Sequence, residues 1–168
     1  MRLFLIGFMG SGKTHWGRLL AGRLQLPFYD LDTVIEEREH ATITQIFAEK
    51  GEEAFRYTEK EVLEQLVNNT ENFILSCGGG TPCFFNNIGF MKQKGLVVWL
   101  NTQIDTLVSR LLKQKTTRPL IKTLTDQELK PYIVSKILSR RLYYEQAHVN
   151  VNEETLSVDT FAQIIADA

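Results

Sequence analysis

The sequence has few cysteines and no apolar run long enough to span a membrane. Its two cysteines, Cys77 and Cys83, and its three histidines are not spaced as a disulfide framework or a zinc cluster. The longest apolar stretch near the start, LFLIGF after Arg2, leads into glycines and lacks the layout of a signal peptide. These absences exclude disulfide-rich and membrane-spanning classes, and they predict a cytoplasmic protein with reduced cysteines.

An excess of charge of either sign is also absent, since 19 Lys and Arg residues oppose 20 Asp and Glu residues. The net charge of −1 creates no general attraction to nucleic acid or anionic lipid, so we expect neither as a partner. Any anion that the protein binds must therefore be held by local groups. The length of 168 residues and the hydrophobic content of 43% fit a single globular domain over residues 1–168.

Short apolar segments alternate with segments of helical periodicity along the chain. The predicted strands lie at 2–7, 27–30, 72–76, 95–100 and 148–152. This alternation predicts an α/β fold with a parallel sheet covered by helices on both faces. The polar stretch 113–128 contains Pro119 and no sustained apolar periodicity, so we expect a mobile loop or lid there.

The motif GFMGSGKT, residues 7–14, matches a phosphate-binding loop and lies between a predicted strand and a predicted helix. Its glycines let the backbone curl, so that several N–H groups and the N-terminus of the helix face the phosphates. Lys13 supplies a mobile cation and Thr14 a hydroxyl for magnesium. A chance glycine turn is the alternative interpretation.

Two aspartates follow the second predicted strand in the sequence DLD. Residues two apart in an extended segment face the same side, so Asp30 and Asp32 should reach one site. In an open parallel sheet, ligands bind beyond the carboxyl ends of the strands, where the phosphate-binding loop also falls. One carboxylate could help to hold magnesium and the other could accept a proton from an attacking hydroxyl. Capping of the next helix is the alternative for either residue.

Three glycines at 78–80 follow the strand at 72–76 and allow a ligand to approach the backbone closely. A plain flexible turn would have the same composition. Ser76, just before them, could bind magnesium through water or bond only to the backbone.

Arginine has a planar fork that suits carboxylates and phosphates, and three arginines have unusual surroundings: Arg56, Arg118 and Arg140. Any one of them alone could be an ordinary surface residue, so only a shared site would make them informative. The spacing of Phe47 and Phe55 favours core packing, with a substrate wall as the alternative.

The ordered set GFMGSGKT, DLD, GEEAFR, GGG, RPL and RRLYYEQA resembles the shikimate kinase family over nearly the whole chain. The resemblance implies a three-layer P-loop kinase fold with a central five-stranded parallel sheet. It also implies a lid at about 113–126 and a substrate-binding helical region at about 32–60. The implied reaction is Mg²⁺-dependent transfer of the γ-phosphoryl of ATP to the 3-hydroxyl of shikimate, on the route to chorismate and the aromatic amino acids. A monomeric enzyme is implied as well.

The same resemblance implies the roles of individual residues. The implied catalytic residues are Asp32, Lys13 and Arg118. The implied nucleotide-binding residues are Gly10, Ser11, Gly12, Lys13, Thr14, His15, Arg110 and Arg118. The implied shikimate-binding residues are Asp32, Arg56, Glu59, Gly78, Gly79, Gly80 and Arg140, with the two arginines clamping the carboxylate. The implied magnesium ligands are Thr14, Asp30 and Ser76.

Some positions depart from the commonest pattern of the family. His15 and Trp16 follow Thr14 where smaller residues are usual, so nucleotide affinity could differ. Arg141 stands beside Arg140, and the four-residue spacing to Tyr144 favours Arg140 as the clamp.

Two other functions compete with this interpretation. The first is a related small-molecule kinase such as gluconate kinase, and the arginines together with the triple glycine argue against it. The second is a nucleotide-binding regulatory module without turnover. Retention of Lys13, Thr14, Asp32 and Arg118 argues against the module.

Overall fold

The computed structural model describes residues 1–118 and 120–168. Pro119, the centre of the RPL motif in the predicted lid, lies outside the described residues.

Within these residues, five strands form one sheet in the order β2-β3-β1-β4-β5, and every pair of neighbours is parallel. The strands are β1 (Arg2–Ile6), β2 (Phe28–Asp30), β3 (Phe73–Ser76), β4 (Leu96–Asn101) and β5 (Val149–Asn152). The central strands are short apolar runs because both of their faces are buried. The predicted five-stranded parallel sheet is therefore confirmed.

In the described part of the chain, seven α-helices connect and follow the strands. They are α1 (Lys13–Leu24), α2 (Leu31–Glu39), α3 (Ile43–Asn69), α4 (Asn87–Lys94), α5 (Ile104–Gln114), α6 (Asp126–Tyr144) and α7 (Val158–Ala166). Short 3-10 helices lie at Thr81–Cys83, Lys115–Thr117 and Glu153–Thr155. Helix α3 is interrupted at Gly51, where φ is 80° and the backbone is not helical. Within the residues described, no helix is both long and apolar enough to cross a membrane.

Helices cover the sheet on both faces, which confirms the predicted three layers. Phe4 of β1 belongs to a core cluster with residues of α2 and α3, whereas Leu5 belongs to a cluster with residues of α1 and α7. Successive residues of β1 thus point to opposite faces, as a strand buried on both sides requires. At the carboxyl edge of the sheet, the loops that follow β1 and β3 meet the start of α2, which follows β2 directly.

The prediction of a loop over 113–128 is wrong at both ends, because α5 continues to Gln114 and α6 begins at Asp126. Thr125 and Glu128 form a capping box that starts α6. Ile121 is fully buried in a third core cluster with residues of α5 and α6, which anchors the middle of this stretch. Helix α6 has few buried residues and contains Pro131, so its sequence gives little helical periodicity.

Candidate active site

Among the described residues, a pair of neighbouring cavities opens at the carboxyl edge of the sheet. The loop cavity, of about 460 Å³, is lined by the phosphate-binding loop and by the start of α1. The arginine cavity, of about 660 Å³, lies between α2, α3 and α6 and includes Arg56 and Arg140 in its lining. The two cavities share five lining residues: Met9, Asp32, Gly78, Gly79 and Arg118. A group bound in one cavity therefore meets a group bound in the other beside Asp32.

The phosphate-binding loop curls around the side chain of Lys13. Gly10 and Gly12 have φ of 82° and 88°, a conformation that side chains rarely adopt. Lys13 Nζ donates hydrogen bonds to the carbonyls of Gly7 and Phe8, both at 2.9 Å. Burial lowers the pKa of Lys13 to about 8, and the nearby carboxylates of Asp32 and Asp30 oppose that effect. The amine thus stays largely protonated at neutral pH inside the loop.

Asp30 joins the hydroxyls of α1 and β3. Thr14 Oγ1 donates to Asp30 Oδ2 at 2.8 Å and lies 3.5 Å from Ser76 Oγ. Asp30 is the N-cap residue of α2, but its side chain makes no capping hydrogen bond, so capping does not explain this carboxylate. The three side chains present only oxygen atoms, which are the ligands that Mg²⁺ prefers.

Asp32 lies in the first turn of α2 and not in an extended segment. The argument that Asp30 and Asp32 alternate along a strand is therefore wrong, because β2 ends between them, although both side chains do line the loop cavity. Burial raises the pKa of Asp32 to about 6, and the carboxylates of Asp30 and Glu59 add to the effect while Lys13 opposes it. A carboxylate with this pKa can accept a proton near neutral pH.

Arg56 is buried beside the glycines that follow β3. Only 7% of Arg56 is exposed, which excludes the surface role left open for this arginine. Arg56 Nη1 donates to Glu59 Oε2 at 2.8 Å, and Thr81 Oγ1 donates to Glu59 Oε1 at 2.6 Å. A Cβ atom on Gly80 would lie 2.6 Å from Arg56 Nη2, so this glycine makes room for the guanidinium.

The predicted core packing of Phe47 and Phe55 is confirmed. Phe55 is 2% exposed and belongs to the core, and the ring of Phe47 packs 4.4 Å from it. Both residues also line the arginine cavity. The aromatic pair is thus part of the core and part of the wall of this cavity.

Arg140 and Arg141 point in different directions. A Cβ atom on Gly79 would lie 3.1 Å from Arg140 Nη1, and Arg140 lies over the ring of Phe8. Arg141 instead forms an exposed ion pair with Glu145 at 2.6 Å. The structure thus places Arg140, and not Arg141, in the arginine cavity.

Tyr144 stabilises the glycine turn at residues 78–80 through a hydrogen bond. Its hydroxyl donates to the carbonyl of Gly79 at 2.6 Å, and burial raises the pKa of Tyr144 to about 12. The phenol therefore stays protonated and keeps this hydrogen bond at neutral pH.

Arg118 lies at the junction of the two cavities and lines both. Its Nε donates to Gln114 Oε1 at 2.9 Å, which connects it to the end of α5. Burial lowers the pKa of Arg118, and the charge of Asp32 opposes that effect. A cation at this point faces both the loop and Asp32.

The loop cavity is also lined by Arg110, Trp16, Glu153 and His15. Sequence reasoning missed Glu153 as well as Thr81. The indole N–H of a buried tryptophan needs an acceptor, so Trp16 indicates that a partner exists but not where it lies in the chain.

Ser11, unlike its neighbours Gly10 and Gly12, does not line the loop cavity. Its side chain is 1% exposed and lines a separate cavity of about 210 Å³ behind the loop. A contact between Ser11 and a phosphate in the loop cavity would therefore come from its backbone.

Several known proteins resemble this chain in both sequence and fold. A sequence model of the shikimate kinase family matches residues 9–168. Over 148 residues, the chain is 44% identical to the shikimate kinase of Azobacteroides pseudotrichonymphae. The aligned residues make up 88% of this chain and 87% of that protein. The crystal structure of shikimate kinase from Bacteroides thetaiotaomicron has a TM-score of 0.92 and 38% identity, covering 99% of this chain and 97% of that chain. Shikimate kinase from Acinetobacter baumannii, solved in complex with shikimate, has a TM-score of 0.86 and 34% identity, covering 99% of this chain and 90% of that chain.

Proposed function

Because the chain belongs to the shikimate kinase family, we propose that it transfers the γ-phosphoryl group of ATP to the 3-hydroxyl of shikimate. The products are ADP and shikimate 3-phosphate. One observation carries the proposal: a phosphate-binding cavity and a cavity containing two arginines share a wall at Asp32. This arrangement suits transfer between an anionic nucleotide and a carboxylic acid that carries a hydroxyl.

Arg56 and Arg140 bind the shikimate carboxylate in this proposal. Both line the arginine cavity, and in a protein of net charge −1 the attraction for an acid must come from such local groups. Among the residues that the structure describes, the buried Nε atom of Arg56 has no hydrogen-bond partner. A buried donor without a partner supports a ligand oxygen at this place. Glu59 keeps Arg56 oriented, and the glycines 78–80 leave room for the ring of the acceptor.

ATP occupies the loop cavity, with its phosphates on the backbone N–H groups of Gly10, Gly12 and the start of α1. Lys13 reaches the transferring end of the triphosphate, and Arg110 and His15 face the remainder of the nucleotide. Thr14, Asp30 and Ser76 would hold Mg²⁺, which when bound neutralises charge on the β- and γ-phosphates.

In the transfer step, the 3-hydroxyl oxygen of shikimate forms a bond to the γ-phosphorus as the bond from this phosphorus to the β–γ bridging oxygen breaks. Asp32 orients the hydroxyl and accepts its proton, which a pKa of about 6 permits at neutral pH. The cations Lys13 and Arg118 stabilise the charge that spreads over the moving phosphoryl group. The protein holds both cations beside the transferring group in this step, and we expect such positioning to supply most of the rate enhancement.

We further propose that residues 1–168 act as one domain, in which the segment 113–126 closes over the site and the region 32–60 binds shikimate. Support comes from the position of Arg118 within this segment and of Asp32 and Arg56 within this region, since all three line the arginine cavity. A cytoplasmic monomer without a nucleic-acid or membrane partner completes the proposal. The two free cysteines and the near-zero net charge are in keeping with it.

The test is release of ADP from ATP and Mg²⁺ in a coupled assay, with shikimate, with gluconate and without an acceptor. Release that depends on shikimate is the expected result. Release with gluconate alone would keep the fold and change the substrate. A folded protein that binds ATP but is silent with every acceptor would instead be a regulatory module.

A further inference from the structure

Glu153 is a buried carboxylate that the proposed transfer step does not use. It begins the 3-10 helix Glu153–Thr155 after β5, is 7% exposed and lines the loop cavity. Burying a carboxylate is unfavourable unless the charge is paired and hydrogen-bonded. Its contacts therefore indicate why the fold keeps a charge at this place.

Glu153 joins three parts of the loop cavity. Its Oε1 accepts hydrogen bonds from Trp16 Nε1 at 2.9 Å and from Arg110 Nη2 at 3.2 Å. Arg110 Nη1 lies 3.0 Å from Glu153 Oε2 and also donates to the carbonyl of Gly10 at 3.0 Å. A Cβ atom on Gly12 would lie 3.2 Å from Glu153 Oε1, so the carboxylate packs directly against the phosphate-binding loop.

We infer that Glu153 is a positioning residue for the nucleotide, whose charge holds Arg110 against the phosphate-binding loop before ATP arrives. An arginine side chain has many rotamers, and a ligand that must order them binds more weakly. The ion pair with Glu153 and the bond to Gly10 remove that freedom in advance. The inference rests on the proposed function, because it takes the loop cavity as the site of ATP.

The substitution Glu153→Gln tests the charge while keeping the shape and one oxygen acceptor for Trp16. We expect the Kd and the KM for ATP to rise about tenfold, the usual size of one charge-assisted hydrogen bond. Turnover at saturating ATP and the KM for shikimate should stay near the wild-type values. A merely structural role would instead lower thermal stability without this selective effect on ATP. The matched control is Glu154→Gln, since Glu154 is the exposed neighbour and pairs with Thr106.

A double-mutant cycle with Arg110→Gln shows whether Glu153 acts through Arg110. Arg110→Gln alone should weaken ATP binding, and adding Glu153→Gln to it should cause little further loss. Independent losses that multiply in the double variant would overturn the inference. So would an unchanged Kd for ATP in a folded Glu153→Gln protein.

Glu153→Asp keeps the test decisive if the Gln variant fails to fold. The shorter acid retains the charge, so its ATP affinity should exceed that of Arg110→Gln, and an equal loss in both variants would contradict the inference. Isothermal titration with ATP in the absence of shikimate separates this result from the proposed function. A wild-type protein that binds ATP but does not phosphorylate shikimate would refute the proposed reaction while the binding cycle still tests Glu153.

Discussion

Arg56 and Glu59 lie three residues apart on α3, and Arg56 Nη1 donates to Glu59 Oε2 at 2.8 Å with both side chains buried. Glu59 also accepts a hydrogen bond from the hydroxyl of Thr81, so each of its two oxygens has a donor. The carboxylate thus fixes the direction of the guanidinium, and it connects α3 to the glycine turn after β3. A buried ion pair of this kind is sensitive to the loss of one partner.

Glu59→Gln should weaken shikimate binding and lower the free energy of unfolding by about 1–3 kcal/mol, because the buried guanidinium loses its charged partner. Urea unfolding and the KM for shikimate measure the two effects. Glu52→Gln is the control, since Glu52 also contacts Arg56, at 3.3 Å, but is largely exposed. Equal effects of the two substitutions would show that the burial of Glu59 does not matter.

Gly80→Ala should raise the KM for shikimate about tenfold, since the new Cβ would displace the guanidinium of Arg56 and weaken one charge-assisted contact. The backbone of Gly80 is right-handed helical, so the expected effect is steric and not conformational. Gly22→Ala is the matched control, because a Cβ at Gly22 meets no atom within 4 Å. Steady-state kinetics with each substrate varied in turn decide the outcome, and an unchanged KM for shikimate would refute this account of Gly80.

Arg140→Ala and Arg141→Ala should differ sharply although the residues are adjacent. Loss of Arg140 should weaken shikimate binding about 10-fold to 100-fold, the range for a hydrogen bond to a charged group. Loss of Arg141 removes an exposed ion pair with Glu145, outside the arginine cavity, and should leave binding nearly unchanged. Calorimetric titration with shikimate compares them, and similar losses in both would contradict the placement of Arg140.

Asp32→Asn should leave the Kd for ATP near the wild-type value and lower turnover about 10²-fold to 10⁴-fold, as expected for loss of a general base. In the wild type, kcat/KM for shikimate should rise with pH through about 6, the raised pKa of Asp32 in the free protein. This rising limb should disappear in the variant. Wild-type turnover in the Asn protein would remove Asp32 from the mechanism.

The same substitution should stabilise the protein at neutral pH. The pKa of Asp32 is raised from 3.8 to about 6, so the folded state holds this proton more tightly than the unfolded state does. Stability is therefore lost as the pH rises from about 4 to about 6, and Asp32→Asn should recover about 1–3 kcal/mol of it at pH 7. Thermal unfolding at pH 4 and at pH 7 measures this, and the gain should vanish at the lower pH.

The sheet could be predicted because strands buried on both faces are short apolar runs, and those runs align with the observed strands. Helix α6 could not be predicted, because with only three buried residues and an internal proline its sequence lacks helical periodicity. The two-residue spacing correctly predicted that Asp30 and Asp32 share one cavity. The reason was wrong, because α2 begins between them and they do not alternate along a strand.

Some of the site residues could likewise be predicted from the sequence, and others could not. The phosphate-binding loop has a local signature, so its position followed from the sequence alone. Glu153 has no such signature, because it is 137 residues away from Trp16 in the chain and only the fold brings the two side chains together. Resemblance placed Arg140 in the site, but its separation from Arg141 depends on the rotation of α6 and is visible only in three dimensions.

The strand order has a consequence for how the protein is made. β1 is translated before β3 and β4, yet it lies between them in the sheet, and their first paired residues are Phe73 and Leu96. The strand that leads into the phosphate-binding loop therefore lacks both of its neighbours until β3 and β4 have been synthesised, and Arg140 follows later in the chain. Such distant pairing slows folding and leaves apolar strands uncovered during synthesis. A nascent chain stalled before β4 should thus be a target for chaperones although its nucleotide motif is already complete.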